Sequence, residues 1–214
     1  MLEYSKILKA LENCDFCKLT QDDFIEKVID LMDTSVIPDK FSYGASKLVL
    51  LLPDEDFVVK IPFEGEYYEG EFYQFDGAVT PYSEKEWDYC LVEEYTYKIA
   101  EEAGAGDFLL KTFCIGKVGD YPIYVQKKAE TYSTRYSSSS KKYTDEEASE
   151  IYSKFDIDQL SINWVLDFLS YHTEQDLELL CNLIEESVLS DLHNGNIGYY
   201  KDAPVIFDYS GFWD

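Results

Sequence analysis

The spacing of hydrophobic residues changes several times along the chain, and the first change separates an N-terminal piece from the rest. Residues 2–12 have apolar side chains at helical spacing. A second helix is predicted from Thr20, where a hydroxyl precedes another run with helical spacing, and Pro38 ends this region. Residues 1–35 are therefore predicted to form an N-terminal helical extension.

Residues 36–130 have a different pattern, which predicts a β-sheet with one helix. The stretch 41–63 reads as three strands, because short runs rich in Val, Leu and Phe are separated by turn residues. A helix is predicted from Glu84 to Ala103, with Gly104 as its end signal. Two more strands follow within 109–129.

Residues 131–214 are predicted to be mainly helical, with short strands at the end. The segment 131–143, TYSTRYSSSSKKY, reads as a polar linker, or as a loop open to autophosphorylation. Helices are predicted from Thr144, over 157–170, and from Thr173 to about Ser187. Strands, one helix, a linker, helices and a terminal hairpin together predict a two-lobed α+β fold.

Composition narrows the range of functions. The net charge of -25 argues against nucleic-acid binding, which needs clustered Lys and Arg, and favours either a solvated acidic surface or a basic protein partner. No apolar run is long enough to span a membrane, and Glu3 and Lys6 stand where a signal peptide would be apolar. We therefore expect a cytoplasmic protein without a membrane partner.

The polar residues with the clearest chemistry lie near the C-terminus. Asp191 and Asn196 are five residues apart in DLHNGN, and Asp208 follows in FDYSG. Phosphoryl transfer needs a carboxylate near the acceptor hydroxyl and oxygen ligands for Mg²⁺ on the phosphates. A loop with Asp191 and Asn196, followed by a hairpin that returns Asp208, could supply these groups.

These residues resemble the loop of a known superfamily. An Asp, an Asn five residues later, a strand and then Asp-x-x-Gly is the arrangement of protein kinases, and DLHNGN is still more similar to the loop of aminoglycoside phosphotransferases and choline-kinase-like enzymes. The resemblance implies that Asp191 is the catalytic base and that Asn196 and Asp208 bind the metal. It also implies that His193 supports the loop. ATP and Mg²⁺ are the cofactors it implies.

The upstream half resembles the same superfamily. VVKIPF places Lys60 on a strand, like the lysine that contacts nucleotide phosphates in kinases. A glutamate of the helix 84–103 would pair with Lys60 and complete the catalytic set. Glu93 and Glu94 are both candidates, and Glu93 is favoured because it shares a helical face with Cys90.

Further nucleotide contacts follow from the resemblance. GASK resembles a reduced phosphate-covering loop, whose contacts would come from Gly44, Ser46 and Lys47. The strand YPIYVQKKA looks like the strand that leads into the hinge, so adenine would bind backbone groups from Gln126 to Lys128.

The sequence also departs from the superfamily pattern. Leu189 stands where these families have histidine, and only six residues follow Asp208, without an activation segment or later helices. The implied fold is thus a two-lobed protein-kinase-like fold with a truncated C-terminal lobe, similar in size to small kinase-like proteins of phages and their hosts.

Two functions remain open from the sequence. The first is an ATP- and Mg²⁺-dependent phosphotransferase that acts on a hydroxyl of a protein or a small molecule. The second is an inactive, pseudokinase-like or inhibitor module that binds a partner through its acidic surface. The presence of Lys60, Asp191, Asn196 and Asp208 favours the enzyme, whereas the charge of -25 and the short C-terminal lobe favour the binding module.

Overall fold

The chain is α+β, as predicted from the order of its elements. Its sheets are antiparallel. The computed structural model describes residues 4–12, 40–43, 47–51, 56–62, 66–68, 71–73, 88–118, 121–136, 143–155, 157, 159–189 and 191–209. The second helix predicted from Thr20 lies outside these residues, as do Gly44 and Ser46.

Two compact units make up the chain, and each contains a separate β-sheet. The first unit comprises Met1–Val92 and Thr112–Lys127, and the second comprises Glu93–Lys111 and Lys128–Asp214. No helix in the described part of the chain is long and apolar enough to cross a membrane.

The first unit is built on an antiparallel sheet of five strands in the order β1-β2-β3-β7-β6. Its described elements are α1 (Tyr4–Leu11), β1 (Lys40–Tyr43), β2 (Lys47–Leu51), β3 (Phe57–Pro62), β4 (Glu66–Tyr68), β5 (Glu71–Tyr73), the start of α2 (Tyr89–Ala103), β6 (Thr112–Val118) and β7 (Tyr121–Lys127). Strands β4 and β5 form a separate hairpin.

Helix α1 packs on one face of the five-stranded sheet. The ring of Tyr4 lies edge-on to those of Phe57 and Phe113, with centroids 5.7 and 6.1 Å apart. Leu8 lies against Gly116, at a β-bulge where φ is 150°, and a Cβ on Gly116 would lie 2.7 Å from the Leu8 methyl. The helix therefore needs glycine at this position, both for space and for the backbone conformation.

The second unit consists mainly of helices around a small sheet in the order β10-β9-β8. Its described elements are the rest of α2, a short 3-10 helix at Gly106–Phe108, β8 (Glu130–Thr131), α3 (Tyr132–Arg135), α4 (Asp145–Lys154), α5 (Ile162–Tyr171), α6 (Glu174–Glu185), β9 (Ile197–Tyr200) and β10 (Ala203–Ile206). Its core has at its centre the fully buried rings of Trp164, Phe168 and Tyr209.

The helix starts in this unit follow local chemistry. Thr144 and Glu147 form a reciprocal capping box at the start of α4, and Thr173 and Asp176 do the same for α6. Both helices begin where the sequence predicts. Helix α5 begins only after Ser161, later than the predicted start at about 157. Ile157 and Leu160 precede the helix and are buried in the core.

The polar-linker prediction for 131–143 is wrong at its start. Residues 130–135 form β8 and the single turn of α3. The hydroxyl of Tyr132 is hydrogen-bonded by Ser161 across 2.6 Å, and that of Tyr136 donates to Asp167 across 2.6 Å. Long-range contacts order the start of this segment.

Candidate active site

The loop from Asp191 to Asn196 is held in a tight turn by its own backbone. The Asn196 N–H donates to the His193 carbonyl across 2.9 Å. Asp191 has a φ of 55°, in the left-handed region that Asp adopts more readily than most residues. Leu192 points into the core, whereas Asp191 and His193 are exposed. The loop therefore presents its polar side chains outward from an apolar anchor.

The side chain of Asn196 is oriented by Asp191. Its Nδ2 donates to the Asp191 carbonyl across 2.7 Å and lies 3.3 Å from Asp191 Oδ2. Because a carbonyl only accepts, the atom that faces it must be the NH₂ group, and Oδ1 is turned the other way. No hydrogen bond from the described residues engages that Oδ1. Asn196 is nine-tenths buried, so its free oxygen is held in a fixed direction.

Asp208 is brought to the same loop through the backbone. The N–H groups of Phe207 and Asp208 both donate to the carbonyl of Asn196, across 3.0 and 3.4 Å. Asp208 is partly buried. The structure thus gathers Asp191, Asn196 and Asp208 at one end of the hairpin formed by β9 and β10.

The hairpin itself is anchored from two sides. The indole Nε1 of Trp164 donates to the Gly198 carbonyl across 3.1 Å, and the hydroxyl of Tyr209 donates to the Leu110 carbonyl across 3.0 Å. A Cβ on Gly198 would lie 2.2 Å from the Glu130 carbonyl oxygen, so β8 and β9 can approach closely only if this residue is glycine. Rigid support of this kind fixes the residues at the end of the hairpin.

The donor set suits magnesium better than zinc. Among the described residues, no three His, Cys, Asp or Glu side chains come together as a metal-binding group. The amide oxygen of Asn196 and the carboxylate of Asp208 are hard oxygen donors, and Mg²⁺ commonly takes one or two protein ligands and fills its shell with phosphate and water. The chemistry of these two residues therefore fits a magnesium ion.

The buried lysines of the first unit lie on one face of its sheet. Lys60 on β3 is directly opposite Val49 on β2 and Tyr124 on β7. Lys47 is two residues from Val49, so it projects from the same face, away from the face that α1 covers. Lys47 and Lys60 are only 4% and 3% exposed. Two ammonium groups on one buried face mark it as polar.

The two other described residues that the sequence predicts to contact the nucleotide, Gln126 and Lys128, lie in different units. Gln126 also projects from the Lys60 face, where its Nε2 donates to Thr112 Oγ1 across 2.9 Å. Lys128 is exposed and belongs to the second unit. The prediction that adenine binds the backbone from Gln126 to Lys128 stays a prediction.

The two candidate glutamates of α2 differ sharply in environment. Glu93 is fully buried, on the helical face that also carries Cys90 and Ala100. Glu94 forms a surface ion pair with Lys98, one helical turn away, across 3.1 Å. This difference favours Glu93 as the functional glutamate, while its pairing with Lys60 stays a prediction.

Sequence reasoning missed a buried carboxylate in the first unit. Asp88 Oδ1 accepts the Leu91 N–H across 2.9 Å and so caps α2, and its Oδ2 accepts the Tyr124 hydroxyl across 2.6 Å. Burial first, and then the Asp88 charge, raise the pKa of Tyr124 well above its usual value. Tyr124 is opposite Lys60, so Asp88 belongs to the polar face of the sheet. An aspartate three residues before a helical apolar position is the signal that could have revealed it.

A second missed group supports the hairpin of the second unit. Asp167 Oδ2 accepts the hydroxyls of both Tyr136 and Tyr199, across 2.6 and 2.7 Å. Arg135 stacks on the Tyr199 ring at 3.7 Å and donates to Asp202 at the hairpin turn across 2.9 Å. Nothing in the local sequence indicates these contacts, because the partners lie tens of residues apart.

Comparisons with known proteins found no relative of this chain. The sequence matches no protein-family model, and searches of curated proteins and of solved structures found no similar protein.

Proposed function

We propose that this protein is an ATP- and Mg²⁺-dependent phosphotransferase with a protein-kinase-like fold, which transfers phosphate to a hydroxyl of a protein or a small molecule. Asp191 orients the acceptor hydroxyl, Asn196 and Asp208 hold the metal, and Lys60 binds the nucleotide phosphates. Magnesium would neutralise charge on the phosphates as the transfer proceeds.

One observation carries the proposal. The Asn196 amide is locked onto the Asp191 carbonyl across 2.7 Å, which aims its oxygen away from the loop, and Asp208 is tied to the Asn196 carbonyl. A purely structural cap would use both polar atoms of the Asn196 amide. Here Asn196 Oδ1 accepts no hydrogen bond from the described residues, as a metal ligand requires.

The first unit contributes the lysine side chains that are proposed to bind the nucleotide phosphates. Lys47 and Lys60 share one buried sheet face with Gln126. Two ammonium groups on one face of the sheet give that face a positive potential. Nucleotide phosphates are anions that such a face could hold, and Glu93 on α2 is the carboxylate proposed to position Lys60.

A thermal-shift titration with ATP tests nucleotide binding. A ligand that binds only the folded state, at about 100 times its Kd, adds about 2.7 kcal/mol of stability. For a domain of this size that corresponds to a rise in Tm of about 5–10 °C. We expect this rise with ATP plus Mg²⁺ and a smaller one with ATP and a chelator. Lys60→Ala should reduce both, and Lys98→Ala, which removes only a surface lysine, should leave both unchanged.

The net charge of -25 supports one alternative function, a binding module. An acidic surface attracts a basic protein partner, as a binding module without catalysis would. ATP binding without any phosphate transfer would favour this module. Absence of any nucleotide effect on Tm would remove the phosphotransferase proposal altogether.

A further inference from the structure

Asp88 joins the start of α2 to strand β7. Its Oδ1 accepts the N–H of Leu91, three residues along the chain, across 2.9 Å, which is the contact of a helix N-cap. Its Oδ2 accepts the hydroxyl of Tyr124 on β7 across 2.6 Å. Asp88 and Tyr124 are only 3% and 2% exposed, so both hydrogen bonds are shielded from water. One carboxylate therefore fixes the helix start and the tyrosine side chain together.

Tyr124 is in turn the neighbour of Lys60 across the sheet. The two residues are directly opposite in the antiparallel pair of β3 with β7. Side chains at such positions project from the same face, with Cβ atoms about 5 Å apart. On the other side of Lys60 is the smaller Val49 of β2. The tyrosine ring is therefore the larger of the two side chains that flank Lys60 within its sheet.

A tyrosine ring fixed beside Lys60 reduces the conformational freedom of the lysine side chain. A lysine has four rotatable bonds, and ordering it when a ligand binds costs conformational entropy. A neighbour that is held by a hydrogen bond at its tip removes part of this freedom before any ligand arrives, which favours binding. Asp88, Tyr124 and Lys60 all belong to the first unit.

We propose that Tyr124 is a positioning residue for Lys60 and that Asp88 holds the Tyr124 ring in place. The expected effect on ATP binding rests on the proposed function of Lys60. The geometric part does not, because it concerns only α2, β3 and β7 of the first unit. In this proposal neither Asp88 nor Tyr124 contacts the nucleotide, and both act through Lys60.

Two substitutions of Asp88 separate its bond to Tyr124 from its cap on α2. Serine is a good N-cap but is too short to reach the Tyr124 hydroxyl. Asparagine also caps the helix through its oxygen, and its NH₂ group can donate to the tyrosine hydroxyl, which accepts as well as donates. We expect Asp88→Ser to lower the affinity for Mg²⁺–ATP about 3- to 10-fold and Asp88→Asn to retain it. An equal loss in both variants, or no loss in Asp88→Ser, would overturn the role of this bond.

Tyr124→Phe tests whether the effect on ATP binding passes through Lys60. It keeps the ring and removes the hydroxyl, so isothermal titration calorimetry should show about a 3- to 10-fold loss of affinity for Mg²⁺–ATP. In a Lys60→Ala background the same substitution should change affinity by less than about 2-fold, because the residue on which it acts is gone. Tyr171→Phe, which removes an exposed hydroxyl on α5, is the control and should leave affinity unchanged. Equal losses from Tyr124→Phe with and without Lys60 would indicate a general structural effect and overturn the proposal.

Urea unfolding tests the geometry without any nucleotide. Residues in contact have non-additive effects on stability. The midpoint shift of Tyr124→Phe combined with Asp88→Ser should therefore be smaller than the sum of the two single shifts. The same should hold for Tyr124→Leu, which removes the ring, combined with Lys60→Ala. Additive shifts in either pair would overturn the proposal. Non-additive shifts in both pairs without any ATP binding by wild type would support the arrangement and reject only the proposed function.

Discussion

Asn196 donates its side-chain amide to the backbone carbonyl of Asp191 across 2.7 Å. This bond joins the side chain of the proposed metal ligand to the backbone of the proposed base. It also explains the amide at position 196, since a carboxylate there would face a carbonyl oxygen and repel it. Asp191, Asn196 and Asp208 therefore have different proposed roles, which mutations can separate.

Asp191 and Asp208 should respond differently to truncation. Asp208→Ala removes a proposed Mg²⁺ ligand, so ATP affinity in the presence of Mg²⁺ should fall about 10-fold or more, whereas the affinity measured with a chelator should change little. Asp191→Ala should leave both affinities near those of wild type. Isothermal titration calorimetry with and without Mg²⁺ measures both. Binding of Mg²⁺–ATP by Asp208→Ala as tight as that of wild type would contradict the proposal that Asp208 is a metal ligand.

Gly198 and Gly195 should tolerate substitution by alanine very differently. At Gly198 a Cβ would lie 2.2 Å from the backbone oxygen of Glu130, which is held in β8 and cannot move without disrupting the sheet. Gly198→Ala should therefore lower the free energy of unfolding by more than about 2 kcal/mol. Gly195→Ala meets only an exposed imidazole and should cost less than about 1 kcal/mol. Urea denaturation of both variants checks the difference, and similar costs would show that the contact of β8 with β9 is wrongly described.

The burial of Tyr199 against Asp167 should make stability sensitive to alkaline pH. Burial first, and then the hydrogen bond to Asp167, raise the pKa of Tyr199 above its usual value of 10.0. A raised pKa in the folded state contributes stability below pH 10, and this contribution is lost as pH rises further. Tyr199→Phe should lower stability at neutral pH by about 1.5–3 kcal/mol, because Asp167 loses a donor. It should also weaken the fall in stability above pH 10.

Thermal unfolding between pH 8 and pH 11 measures both effects of Tyr199→Phe. Tyr171→Phe is a matched control, because that ring is exposed at the end of α5. An identical pH dependence in wild type and Tyr199→Phe would contradict the role given to burial and to Asp167.

The capping box of α6 should show the opposite dependence, at acid pH. Hydrogen bonds from the Thr173 backbone and hydroxyl hold the pKa of Asp176 below its usual 3.8. A lowered pKa in the folded state contributes stability above pH 3.8, and this contribution is lost as pH falls through the folded value. Asp176→Asn should therefore be less stable than wild type at pH 7, and the difference should shrink below about pH 4.

Glu178→Gln provides the control for Asp176→Asn, since Glu178 is an exposed carboxylate on the same helix. Its stability relative to wild type should depend much less on pH between 7 and 3. A difference for Asp176→Asn that stayed constant over this range would mean that the carboxylate charge does not stabilise the start of α6.

The starts of α4 and α6 and the loop from Asp191 to Asn196 could be predicted because their causes are local. Thr144 and Glu147 stand three residues apart, and the geometry of a capping box follows from that spacing. Asp191 and Asn196 likewise meet within one turn. The backbone bond from Asp208 to Asn196 also follows once a hairpin is assumed.

The start of the 131–143 segment could not be predicted, because its order depends on distant partners. Tyr136 bonds Asp167, which is 31 residues away, and Tyr132 bonds Ser161 at a separation of 29. Local composition there is polar and favours a loop. The contact between Tyr124 and Asp88 could not be predicted for the same reason, because these two residues are 36 positions apart.

Transfer of labelled phosphate tests the central claim most directly. Wild type, Asp191→Ala and His172→Gln, a substitution outside the tail, are incubated with γ-labelled ATP and Mg²⁺, each alone and with cell extract. We predict that wild type and His172→Gln transfer label in a Mg²⁺-dependent way to the protein itself, to another protein or to a metabolite. The rate of transfer by Asp191→Ala should be at least about 100-fold lower. Wild type that binds ATP yet transfers no label, or Asp191→Ala that transfers as fast as wild type, would contradict it.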